Sequence, residues 1–233
     1  SATVPLERLR WRAYVDADTR GPAVTDATTM LAPGDVVRLS RNNEAGEWTL
    51  VQLPKAQGAL VALDPANGAI VSLVGGYSFA LSKFNRATMS NRQPGSSFKP
   101  FIYSAAFDRG FNAASIVNDA PLVFADPSQA DGLWKPQNDN ETFLGPMRLR
   151  EAMVLSRNLV SVRVLDALGV RYARDYITRF GFDPASMPDN LSLALGTVSV
   201  PPLTMARAFS VFANGGFLVD PHFILRVEDE AGK

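Results

Sequence analysis

Residues 59–64 (Ala-Leu-Val-Ala-Leu-Asp) and 69–74 (Ala-Ile-Val-Ser-Leu-Val) are two short, almost wholly apolar runs joined through Pro65-Ala66-Asn67-Gly68. An Asn-Gly pair between apolar runs is the strongest short-range signal for a β-hairpin. Runs with so few polar residues suit strands covered on both faces, in the middle of a layered domain. After Gly75-Gly76 the pattern changes. Apolar residues fall at helical spacing over about 97–109, 147–155, 158–168, 170–180 and 202–214, the last ending at Asn214-Gly215-Gly216, a good helix stop. A hairpin followed by helices predicts an α/β (α+β) domain, an antiparallel sheet flanked by helices.

The chain ahead of this hairpin reads differently. Residues 10–15, 35–39 and 48–53 alternate or run apolar between Gly, Pro and Asn turns, so residues 1–57 read as all-β. Three short strands do not make a stable domain by themselves. The expected division is therefore 1–57, part of a small β module with its linker, and 58–233, a second domain. Between 112 and 146 lies a long irregular stretch containing Trp134-Lys135-Pro136-Gln137-Asn138, either the wall of a site or plain surface. Residues 221–227 read as a strand and 228–233 as the turn after it.

Composition narrows the chemistry. Lys+Arg and Asp+Glu number 23 each, so no net charge points to nucleic acid or an anionic membrane surface. No cysteine excludes disulfides and, with a single histidine (His222), argues against a zinc site; no metal or cofactor is called for. No apolar run approaches the ~20 residues of a membrane span. Ser1-Ala2-Thr3 does not begin a signal peptide.

The stretch Arg92-Gln93-Pro94-Gly95-Ser96-Ser97-Phe98-Lys99-Pro100-Phe101 places a serine after a Pro-Gly turn and a lysine three residues on. If a helix starts at the turn, Ser96 and Lys99 share a face. A serine hydroxyl is a poor nucleophile until an adjacent base activates it, and in a chain with one histidine a lysine is the best base on offer. Ser96 is the only serine with a lysine at +3, although about one such pair is expected by chance. The surrounding string carries the weight.

That string, with Asn85-Arg86-Ala87 before it and Ile102-Tyr103 after it, resembles the active-site serine motif of the penicillin-binding proteins, in their class A, bifunctional branch. The resemblance implies the penicillin-recognising serine transpeptidase fold, five antiparallel strands with helices on both sides, here incomplete. It also implies that residues 1–57 are part of a module of the oligonucleotide-binding (OB-like) type, with no basic stripe or aromatic platform for nucleic acid. The family uses three motifs in order: Ser-x-x-Lys, Ser-x-Asn and Lys-Thr/Ser-Gly. Ser40-Arg41-Asn42 precedes the nucleophile and reads as a hairpin loop. Ser156-Arg157-Asn158 follows it and is the better second motif, its flanks 149–153 and 159–162 also resembling the family. Taken alone, Ser156 or Asn158 could simply cap the following helix.

No Lys-Thr-Gly or Lys-Ser-Gly occurs. The expectation is a front part of a longer protein whose C-terminal remainder carries that motif, with a membrane anchor and a glycosyltransferase domain upstream. On this resemblance the chain is a D,D-transpeptidase that cross-links peptidoglycan stem peptides ending in D-Ala-D-Ala, outside the inner membrane in the periplasm, and a target of β-lactams. Ser96 is the nucleophile, Lys99 its base, Ser156 a proton relay, and Asn158 a ligand of the substrate amide that also helps hold Lys99. Ser96, Ser156 and Asn158 form the substrate-binding set. The family's second cation near Lys99 is the lysine of the third motif, so Lys99 should be harder to deprotonate without it.

The remaining candidates read as structural. Asp64, Asp119 and Asp139 sit in turn contexts that Asx capping explains. His222 reads as surface or loop, Gly196 within Leu193-Ala194-Leu195-Gly196-Thr197 as structural on the far side of the cleft, and the Met and Phe residues of 203–212 as core. Two other functions stay open: a serine D,D-carboxypeptidase or β-lactamase, in which water attacks the acyl-enzyme, and a non-catalytic penicillin-binding sensor or scaffold.

Overall fold

The computed structural model describes residues 2–9, 12, 14–41 and 46–230. The chain divides into two compact units, Ser1–Gln57 and Gly58–Lys233. In the first, β1 (Arg38–Arg41) and β2 (Trp48–Val51) pair antiparallel, Arg38 opposite Val51 and Arg41 opposite Trp48. Ser40 and Arg41 are thus strand rather than loop, and the turn expected at Asn42 and Asn43 lies outside the described residues. The strand expected over 10–15 falls partly outside them too. Of its described part, Tyr14 makes only an isolated bridge to Arg20. Short 3-10 turns at Leu6–Arg8 and Ala27–Thr29 complete the unit, the second capped by Asp26 through the Thr28 N–H.

The second unit opens with the hairpin of β3 (Leu60–Leu63) and β4 (Ile70–Val74). Asp64 accepts from the Ala66 N–H, the Asx arrangement expected there. One face of the hairpin packs on helices: β3 against α6 (Pro202–Ala213) and β4 against α1 (Arg86–Met89), a short turn capped by Asn85. Burial on both faces does not hold. Leu60 and Val74 are exposed and Val71 is 71% exposed, because among the described residues no layer covers the other face of this pair.

A 3-10 turn at Gly95–Phe98 runs into α2 (Lys99–Asp108), with Pro100 in its first turn, where the missing N–H costs nothing. The stretch 112–146 is not irregular throughout. It holds β5 (Ile116–Asp119), β6 (Phe124–Ala125) and β7 (Leu133–Trp134), while β8 (Gly145–Arg148) follows at its end. β5 pairs with β8 and β6 with β7, both antiparallel. Met147, expected to begin a helix, lies in β8 opposite Val117, and α3 covers only Leu149–Val154.

The core lies between α2, α4 (Asn158–Leu168) and α5 (Val170–Ile177). Leu159, Val160, Val162, Val164 and Leu165 are all buried, so α4 is apolar around most of its circumference and runs through the centre. Phe98 and Phe101 meet Phe182 edge-on at 5.1 and 5.0 Å. Phe209 and Phe212 of α6 rest on Phe101 but stay partly exposed, and Met205 is half-buried, so these residues rim the core rather than fill it. Asn214 ends α6: its Oδ1 accepts from the Phe217 N–H and its Nδ2 donates to the Pro65 carbonyl, tying the helix end to the hairpin turn. Residues 221–227 form no strand. His222 makes one isolated bridge to Ala69, and the exposed Phe223, Ile224, Leu225 and Val227 have no strand partner among the described residues.

Candidate active site

Lys99 is the first residue of α2, and its side chain runs inward until the residue is 1% exposed. A buried ammonium is costly unless each of its three donors finds a partner. Here each does: Nζ donates to the Ser156 carbonyl at 2.6 Å, to Ser156 Oγ at 3.0 Å and to Asn158 Oδ1 at 2.7 Å. Burial, and then the charge of Arg157, bring the Lys99 pKa down to about 8. Among the described residues the cation acting on Lys99 is Arg157, inside the second motif.

Ser96 is exposed in the 3-10 turn immediately before α2, where a backbone N–H has no partner within the helix. Among the described residues no hydrogen bond links its Oγ to Lys99 Nζ; such contacts often tighten only when substrate binds. The structure thus gathers Lys99, Ser156 and Asn158 into one network and leaves Ser96 open beside it.

Ser156 stands in the turn between α3 and α4 with φ at 52°, a left-handed backbone that a non-glycine residue adopts at a cost. Such strain persists only where surroundings enforce it, and here they do. The Ser156 N–H donates to the Met153 carbonyl and the Arg157 N–H to the Ala152 carbonyl, holding the chain reversal. Neither Ser156 nor Asn158 caps α4. The cap is Asn138, whose Oδ1 accepts from the N–H groups of Asn158 at 2.9 Å and Leu159 at 3.2 Å. Asn158 is thereby freed to face Lys99, its Nδ2 donating to the Gln137 carbonyl at 2.9 Å.

Behind this turn lies a buried ion pair. Arg157 Nε donates to Asp119 Oδ2 at 2.8 Å, with a second nitrogen 2.6 Å from the same oxygen. Asp119 also accepts from Asn138 Nδ2 at 2.8 Å and the Leu144 N–H at 3.0 Å. Burial works to raise the Asp119 carboxyl. The hydrogen bonds from Asn138, Arg157 and Leu144 and the Arg157 charge outweigh it and hold it below the usual carboxylate range. Asp119 closes strand β5 and is fully buried, so an Asx-turn explanation fails. Sequence reasoning missed Asp119, Arg157 and Asn138 as site residues; the polar run at 135–138 inside a long loop was the available signal.

The stretch around Gly196 lies against the turn that carries Ser96, not across from it. The Gly95 N–H donates to the Gly196 carbonyl at 3.2 Å, and Arg92 and Val200 exchange both backbone bonds at 3.2 Å. Gly196 has φ +71°, and a Cβ there would stand 2.0 Å from the Gly95 carbonyl oxygen. Only glycine fits. His222 sits apart, its N–H on the Gly68 carbonyl beside the hairpin turn. Asp139 makes no contribution to this network. Among the described residues no group of three His, Cys, Asp or Glu side chains could hold a metal ion, and no helix is long and apolar enough to cross a membrane.

An exposed serine at a helix start, a buried lysine one turn on and a Ser-x-Asn turn folded onto that lysine make up one candidate site. In comparison with known proteins, residues 58–233 match the family described as the penicillin binding protein transpeptidase domain, and residues 1–56 the penicillin-binding protein OB-like domain. The chain belongs to the penicillin-binding protein transpeptidase family. It is 52% identical to penicillin-binding protein 1A of Pseudomonas aeruginosa over 231 residues, which is 99% of this chain and 28% of that protein. The crystal structure of penicillin-binding protein 1A from Haemophilus influenzae superposes with a TM-score of 0.76 at 43% identity, over 84% of this chain and 29% of that one. The PonA1 protein of Mycobacterium tuberculosis in complex with penicillin V superposes at 0.65 and 27% identity, over 77% and 50%. The chain therefore spans little more than a quarter of the length of the curated relatives it matches.

Proposed function

We propose that this chain carries the acylation site of a peptidoglycan D,D-transpeptidase, with Ser96 as nucleophile. Ser96 Oγ attacks the carbonyl of the penultimate D-Ala of a stem peptide while its proton passes to neutral Lys99 Nζ. The carbonyl oxygen develops negative charge, and the Ser96 N–H, in the turn that starts α2, is the donor placed by sequence to receive it. Collapse of the intermediate breaks the D-Ala–D-Ala amide; the leaving amine takes its proton through Ser156, and an ester remains on Ser96. An amine from a second stem then attacks that ester, forming the cross-link and restoring the serine. A β-lactam ring enters at the first step and stays as a slowly lost ester.

The single observation that carries this reading is the saturation of buried Lys99 by Ser156 and Asn158, one helical turn from exposed Ser96. Loss of one proton leaves Nζ two donors, enough for its 2.6 and 2.7 Å contacts, and a lone pair free to accept from a hydroxyl. Asn158 holds Lys99 and offers the substrate amide a partner. Residues 1–57 belong, on this reading, to an OB-like module ahead of the transpeptidase domain 58–233. The periplasmic face of the inner membrane is the compartment such chemistry requires.

Intact-mass measurement of the full-length protein with a penicillin tests it. The expected result is a long-lived adduct of one antibiotic mass, lost in Ser96→Ala. An adduct that forms and vanishes within minutes would favour a hydrolase, and none from folded protein would leave a scaffold or sensor.

A further inference from the structure

We propose that Arg157, clamped by Asp119 and by the loop that carries Asn138, is a positioning residue for acyl transfer at Ser96. It sets the left-handed turn that brings the Ser156 carbonyl and hydroxyl and the Asn158 carboxamide onto Lys99, and it stations a permanent cation beside the Lys99 amine. The inference rests on Ser96 and Lys99 acting as proposed above.

The construction around Arg157 exceeds what a helix cap needs. The residue is 5% exposed and still charged. Its Nε and one terminal nitrogen engage Asp119, another donates to Asn140 Oδ1 at 3.1 Å, and Nη2 also reaches the Thr142 carbonyl. Asn138 joins both ends of the arrangement: Oδ1 takes the first N–H groups of α4, and Nδ2 donates to Asp119 and to the Thr142 carbonyl at 2.9 Å. Asp119, Asn140 and Thr142 bind Arg157 directly, and Asn138 ties Asp119 and Thr142 to the start of α4 just after it.

Burying a guanidinium and a carboxylate to close a turn is energetically unrewarding when an apolar pair of similar volume would close it as well. What an apolar pair cannot supply is charge. Among the described residues Arg157 is the one cation acting on Lys99. The carboxylate oxygens of its counter-ion Asp119 are engaged by Arg157 itself, by Asn138 and by the Leu144 N–H. Tyr103, one turn along α2, is a buried phenol that burial keeps neutral. Arg157 therefore repels the ammonium form of Lys99 and favours the free amine that must accept the Ser96 proton.

The test is the pH dependence of the acylation rate by a fluorescent penicillin, from about pH 6 to about pH 10, on the full-length protein and three variants. Arg157→Gln removes the cation, Arg157→Lys keeps it, and the double variant Asp119→Asn with Arg157→Gln removes the ion pair without stranding a buried carboxylate. Thermal melting checks that each is folded. For Arg157→Gln and the double variant, the expected result is a rate roughly tenfold lower near pH 7, with the acid limb moved to higher pH by about one unit. Arg157→Lys should keep the limb of the parent while losing rate through the lost fork geometry. Folded charge-removing variants with the parental limb would overturn the proposal, whether their rates were unchanged or uniformly lower. So would Arg157→Lys shifting as far as Arg157→Gln. A parent that fails to acylate would instead sink the Ser96 reading, which keeps the two failures apart.

Discussion

As the proposed base, Lys99 must be two things at once: buried firmly enough to be oriented, and neutral often enough to take a proton. Three acceptors orient it, while burial and Arg157 bring its pKa to about 8. At pH 7 roughly one molecule in ten then carries the free amine, against fewer than about one in a thousand at the ordinary lysine value. Since the reactive form is the deprotonated one, the acylation rate should climb as pH rises through about 8 and then level. A stopped-flow series with a chromogenic cephalosporin would show it; a rate flat from pH 6 upward would contradict Lys99 as the base. Asn138→Ala should cost about 1–3 kcal/mol, from the lost cap of α4 and the buried partners left unpaired, read as a lower unfolding midpoint. Asp119→Ala strands a buried guanidinium and should cost about 3–5 kcal/mol. Because the Asp119 carboxyl is held below its usual range, its contribution to stability is full at neutral pH and fades as pH falls through its folded-state pKa.

Among the elements, those written in local sequence were legible. Helices α2, α4, α5 and α6 follow the apolar spacing, and the Asn67-Gly68 turn announced the β3–β4 hairpin. The β5–β8 pair was not legible. Its strands lie about 25 residues apart, and Pro146, which lacks an N–H and so suits only an edge, stands opposite Asn118. Strand pairing across that distance has no local signal, so the periodicity around Met147 read as helix. The site divides the same way. Ser96, Lys99, Ser156 and Asn158 follow from short motifs, whereas Asp119 and Asn138 join them only through folding of the 112–146 stretch. The contact between the Gly196 segment and the Ser96 turn yields a prediction at this scale. Gly196→Ala puts a Cβ on the Gly95 carbonyl and strains a left-handed backbone, for more than about 2 kcal/mol together. Acylation should fall further than the melting temperature alone accounts for, because the displaced atoms belong to the turn of the proposed nucleophile, Ser96.

Taken whole, the chain combines a well-packed helical centre with apolar surface that the described residues leave open. Val71 of the hairpin is 71% exposed and Leu225 84%, with Phe223, Ile224 and Val227 exposed around it. Exposed apolar rows of this kind mark contact surfaces or invite association. The 233-residue chain expressed alone should bind a hydrophobic dye, and Val71→Lys with Leu225→Lys should reduce that binding without lowering the melting temperature. Dye binding unchanged by both substitutions would place the apolar surface elsewhere.

The proposed function turns on one covalent bond, from Ser96 Oγ to an acyl group, formed with Lys99 as base. Peptide mapping by tandem mass spectrometry of the penicillin-treated full-length protein locates that bond directly. The expected result is the antibiotic mass on the peptide containing Ser96 and nowhere else, with the signal abolished in Lys99→Ala under the same exposure. An adduct on Ser97, Ser156 or any other residue, or labelling of Ser96 that survives loss of Lys99 at full rate, would contradict it.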